Sequence, residues 1–130
     1  MELTIKNRII LMGALPRFDS MNNIVLALSI KGKLQLSEIE QNGIVTKQLS
    51  DGVTEIGFKD GVNPAVSQTF TLTDEELFYL KQRVRMIDIN GMVSADSIDT
   101  YQKVFDGEFS DELYSTKWDN LINPNPQINS

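Results

Sequence analysis

The chain has 130 residues, 12 basic and 18 acidic side chains for a formal charge of −6, and neither His nor Cys. Its size and its 41% hydrophobic content are those of one ordinary domain with a real core. The missing residue types exclude a disulfide framework, a zinc finger, a cysteine-held iron–sulfur cluster, a thiol nucleophile, a Ser–His–Asp triad and an imidazole base.

Residues 3–12 place Ile5, Ile9 and Met12 at helical spacing, with Leu3 and Ile10 beside them. Pro16 ends this helix, since it disfavours helical geometry at Leu15 and has no N–H to donate. Asp19 and Ser20 are N-cap candidates for a second helix with Met21, Ile24, Val25 and Leu28 as its apolar residues and Gly32 as its stop. Ser37 and Glu40 form a capping-box pattern over a short turn closed by Gly43. Residues 44–49 and 53–58 are rich in Val, Ile and Thr and flank Ser50-Asp51-Gly52, a hairpin signal. Residues 66–72 follow a second turn and alternate, with Val66, Phe70 and Leu72 on one side. The three segments predict a three-stranded antiparallel meander with one face on the core.

Thr73-Asp74-Glu75-Glu76 is a full capping box with acids in the first turn, favourable at the positive end of the helix dipole. Leu77, Leu80, Val84 and Ile87 then form an apolar stripe, and Gly91 ends the helix. Ser94 is the expected cap of the next helix, whose stripe is Ile98, Tyr101 and Phe105 and whose end is Gly107. The short connection predicts that these two helices pack together. Beyond residue 107, Phe109, Leu113, Tyr114, Trp118, Leu121 and Ile122 suit a short helix, and residues 123–130 an extended end. The expected fold is α+β, a helix-rich single domain: a compact body over residues 1–107 with an acidic, aromatic C-terminal appendage over 108–130.

The charge is unevenly placed. Residues 91–130 hold 2 basic and 7 acidic groups, a balance of −5. They repel a phosphate backbone, and no Lys/Arg cluster compensates, so no nucleic-acid partner is expected. The apolar run from Ile9 to Leu15 is too short to span a bilayer, and it lacks a signal peptide's cleavage site, so no membrane partner is expected and an intracellular setting is.

Few patterns carry chemistry. The acids of Asp106–Glu112 lack the glycine position of a calcium-binding loop. Asp96 and Asp99 share a helix face, but the first-turn dipole accounts for acids there. No Walker pattern, G-x-G-x-x-G or G-x-S-x-G occurs. Neither a cofactor, a metal nor a catalytic residue is assigned. Two binding sites are. Phe109, Leu113, Tyr114, Trp118, Leu121 and Ile122 form a partner-binding face for another protein or a second copy, because Trp and Tyr bury large areas at little entropic cost. Folding back onto its own core is the other use of that segment. Arg8, Arg17 and Lys31 are the alternative, a small pocket for an anionic ligand such as a nucleotide.

Arg8-Ile-Ile-Leu11-Met-Gly-Ala-Leu15-Pro16, an apolar helix, Leu36-Ser37-Glu38, a small β segment and the Thr73-Asp74-Glu75-Glu76-Leu77 helix follow one another over residues 5–105. This order resembles a group of small proteins encoded in bacteriophage and prophage genomes. The resemblance implies a viral origin and a bacterial cytoplasm or a virion as the setting, and it transfers no catalytic residue. The function expected is that of a non-catalytic protein-binding accessory or structural protein that self-associates. The alternative is a protein that binds or sequesters a small anion against a host system.

Overall fold

Three capping boxes set the frame. Thr4, Ser37 and Thr73 each accept from the backbone N–H three residues on, and Asn7, Glu40 and Glu76 each reach back to the cap's own N–H. The structure, a computed structural model, describes residues 1–50 and 53–124. The elements in order are β1 (Glu2–Thr4), α1 (Ile5–Ala14), α2 (Met21–Leu34), α3 (Glu38–Asn42), β2 (Ile44–Ser50), β3 (Val53–Phe58), β4 (Ser67–Thr69), α4 (Asp74–Ile89), α5 (Ile98–Asp106) and α6 (Glu112–Ile122). The fold is a helix-rich α+β domain with short antiparallel strands.

The core lies where α1, α2, α4 and α5 meet. Leu3, Leu11, Ile30, Leu34, Leu80, Val84 and Val104 are fully buried there. α2 and α4 pack together. Ser29 and Lys33, late in α2, bond Glu76 at the start of α4, while Asp19, just before α2, accepts from the Tyr79 hydroxyl one turn further on. The stripe expected on α4 is inward as read, with Leu77, Leu80 and Val84 buried and Ile87 half-buried.

The strands differ from the meander read in the sequence. β2 and β3 form the expected hairpin, with Ile44 opposite Phe58 and Thr46 opposite Ile56. Asp51 and Gly52 of its turn lie outside the described residues. The third segment does not join it. β4 pairs antiparallel with β1, Leu3 opposite Gln68, giving two two-stranded sheets. Leu3 therefore belongs to a strand, not to the first helix. The pairing is reinforced where the Met1 ammonium donates to the Phe70 carbonyl and the Phe70 N–H to the Met1 carbonyl. Periodicity finds a strand but not its partner, and residues 66–72 read equally well beside the chain's first residues.

Two boundaries also move. Gly32 lies inside α2, which continues to Leu34. Ser97, not Ser94, immediately precedes α5, and Ser94 Oγ accepts from the Ser97 N–H in the turn before it.

Candidate protein-docking surface

The C-terminal aromatics turn inward. The Asp74 carboxylate, in the first turn of α4, accepts from the N–H groups of Ser110 and Asp111 at 2.7 and 2.8 Å, which pins the entry to α6. Trp118 is 7% exposed. Its ring meets Phe78 edge-on at 5.9 Å between centroids and stacks on Phe105 at 6.4 Å. Phe109 and Tyr114 stack on each other at 5.8 Å and both meet Phe78. Trp118 is thus covered by α4 and α5 of its own chain, correcting the expectation that another molecule covers it, while Phe109 and Tyr114 lie half-buried against α4. Residues 108–124 are part of the globule, not an appendage; 125–130 lie outside the described residues. Leu113, Leu121 and Ile122 are left at the surface.

Lys81 lies beneath this cluster and is 3% exposed. Its ammonium donates to the Phe105 carbonyl at 2.7 Å, in the last turn of α5 where a cation complements the helix dipole, and lies 5.2 and 5.7 Å from the Phe109 and Trp118 ring centroids. Burial holds its pKa below the ordinary lysine value, against the pull of Asp106 and Asp119. These contacts join α4, α5 and α6. An acidic cleft of about 480 Å³ opens beside them, lined in part by Asp106, Glu108 and Asp119.

Arg8, Arg17 and Lys31 do not assemble into one pocket. Arg8 is buried, and its donors are committed: Nε to the Leu34 carbonyl at 3.0 Å, Nη2 to the Gln35 carbonyl at 2.6 Å, Nη1 to Glu40 at 2.5 Å. Its guanidinium also lies 4.9 Å from the Phe70 ring centroid. It ties the C-terminus of α2 to α1, α3 and the segment after β4, and its hydrogen bond holds the Glu40 carboxyl below the usual range. The cleft beside Arg8 is lined by residues of α2, α3 and the β4 segment but by neither Arg17 nor Lys31.

The surface that the sequence reading missed is on α2. That reading named Met21, Ile24, Val25 and Leu28 as the apolar residues of the helix without separating an inner set from an outer one. The structure buries Ala27, Ile30 and Leu34 and turns Met21, Val25 and Leu28 outward, 88%, 65% and 62% exposed. Both sets have helical spacing, so α2 is apolar on two opposite sides, the pattern of a helix covered all round. Phe18, 90% exposed, stands at the head of the outer stripe.

The turn that carries Phe18 is tied down. Asp19 accepts from the Ser20 N–H, the Asn23 side-chain amide and the Tyr79 hydroxyl at 2.7 to 3.0 Å. Those bonds, led by that from Asn23, hold the Asp19 carboxyl below its ordinary pKa, while burial and Asp19 push the Tyr79 hydroxyl up to about 12. The aromatic ring is presented by a capped helix start rather than by a slack loop. Two apolar stripes on one helix were the signal available in the sequence, read there as one.

Among the described residues no group of three or more Asp and Glu could hold a metal ion, and no helix is long and apolar enough to cross a membrane. Comparison with protein-family models, curated proteins and solved structures found no match.

Proposed function

We propose that the chain is a non-catalytic protein-docking module, an accessory or structural component of phage or prophage origin, and that protein docks on the outer face of α2. One observation carries this reading: Met21, Val25 and Leu28 form an exposed apolar stripe on a helix whose opposite side already fills the core, with exposed Phe18 in the turn just before it. Large side chains exposed singly are ordinary, whereas a continuous patch of several hundred Å² marks an interaction site. The order of motifs that resembles phage-encoded proteins supports the setting, in a bacterial cytoplasm or a virion.

A photo-crosslinking residue at position 25 tests the reading in the producing bacterium, with the same residue at exposed Thr116 on α6 as control. Position 25 is expected to give discrete protein adducts and position 116 none. Equal labelling at both positions, or none at 25, would overturn the proposal.

A further inference from the structure

We infer that the furrow between α5 and α6 is a second docking site, and that its occupant is a basic amphipathic helix of another protein. None of the residues that line the furrow belongs to α2, so the site is separate from the face described above.

α5 and α6 each pack on α4 but scarcely on each other. The stack of Phe105 on Trp118 bridges them, and those two rings form the floor of the furrow. Phe105 lines all three of the clefts that follow it. The acidic cleft of about 480 Å³ adjoins one of about 360 Å³ that also touches Trp118 and is walled by Arg85, Asp88 and Ile122. A third, of about 310 Å³, shares Asp88 and continues past Tyr101 to Ile98 and Val93. Ile98 and Ile122, on opposite sides, are 52% and 44% exposed. At 1.5 Å per residue the 11 residues of α6 span roughly 16 Å, room for about three turns of a docked helix with apolar anchors at i and i+3 or i+4.

Charge selects the occupant. Asp88, Asp106, Glu108 and Asp119 are exposed along the furrow, and among the described residues none of the four forms an ion pair. Against them stand Arg85 at the wall and Lys81, which is buried below and already donates to the Phe105 carbonyl. An apolar strip edged with uncompensated carboxylates complements a helix that is apolar on one face and cationic beside it. It repels a phosphate backbone, and a second copy of charge −6 has the wrong sign.

Trp118 is the chain's only tryptophan, so its emission reports on the furrow. The probe is a synthetic helix of Leu, Lys and Ala whose leucines fall on one face. Titrated into the full chain, it is expected to shift Trp118 emission saturably at micromolar concentration. A peptide of the same composition with its leucines spread round the helix is expected to bind at least tenfold more weakly, and one with Glu for every Lys to give no shift. Asp88→Asn with Glu108→Gln leaves in place Asp106 and Asp119, which act on buried Lys81, and is expected to keep the melting temperature and weaken the first peptide at least fivefold. Rising sodium chloride is expected to weaken it too. No shift, equal binding of the spread peptide, or binding indifferent to the double variant and to salt would each overturn the inference. So would a weakened titration with Val25→Ser, which would put the peptide on α2. A shift that appears only after residues 125–130 are removed would make the chain's own end the occupant, and a dimer that the peptide dissociates would make it a second copy. Failure here leaves the α2 reading standing, since that is read at position 25 and its control, Thr116, lines none of the three clefts.

Discussion

Glu76 is nearly fully buried and still ionised. Burial pushes its carboxyl toward protonation, but bonds from Lys33, Ser29 and the Thr73 N–H and hydroxyl outweigh it and take the pKa down to about 2. The same carboxylate closes the α4 capping box and ties α2 to α4, so its charge is coupled to the fold. A carboxyl with a folded pKa below its unfolded one contributes stability above the unfolded value and loses it as pH falls through the folded value. The window is therefore from about pH 4.5 down to about 2, and the contribution is about 3 kcal/mol at neutral pH. Glu76→Gln is expected to be less stable than wild type at pH 7, and the two denaturation curves to converge as pH approaches 2. A gap that stays constant across that window would show that the charge is not what matters. Tyr79 acts at the other end of the scale. Its raised pKa contributes stability present below about pH 10 and lost as pH rises through about 12, so Tyr79→Phe is expected to flatten the alkaline limb of the same profile.

At the scale of elements, α6 matters most to the reading of the chain. Trp118 fills space between α4, α5 and α6, so Trp118→Ala is expected to destabilise by roughly 3–5 kcal/mol, as large-to-small changes at buried aromatics do. Thermal unfolding followed by circular dichroism checks it, and native tryptophan emission is expected to be blue-shifted and to move red on unfolding. No loss of stability would return Trp118 to the role of an exposed anchor. The start of α4 was legible because Thr73 and Glu76 act through local geometry that four residues specify. The same holds for Ser37 and Glu40, and for the β2–β3 hairpin, whose partner strands are adjacent in sequence. What was not legible is non-local. β4 could pair with β3 or with β1, and its alternation is the same either way. Phe109, Tyr114 and Trp118 have the composition of an interface and of a core alike. The two stripes of α2 share helical spacing, and each carries a small residue, Ala27 on the inner and Gly32 on the outer, so spacing does not choose between them. Arg8, read as a free cation, is consumed by carbonyls that no spacing rule connects to it. The hairpin also carries an expected outcome. It packs chiefly on itself, and a two-stranded ribbon is marginal alone in water, so its amides are expected to exchange with solvent well before those of α4.

The whole molecule presents a contrast between a strongly acidic chain and one helix without a charged side chain from Met21 to Ile30. Residues 91–130 carry a balance of −5 of the total −6, on α5, α6 and the loops around them. A partner docked on the outer face of α2 would be held by apolar contact rather than by ion pairs. Salt screens charge, with a Debye length of about 10 Å at 0.1 M and about 3 Å at 1 M, and leaves apolar contact intact. Adducts from a photo-crosslinking residue at position 25 are accordingly expected to persist as sodium chloride rises. An interface held mainly by ion pairs would loosen instead, since screening removes its attraction. Were the position-25 adducts to vanish with salt, the contact would depend on charge, and the apolar face of α2 would not be what holds the partner.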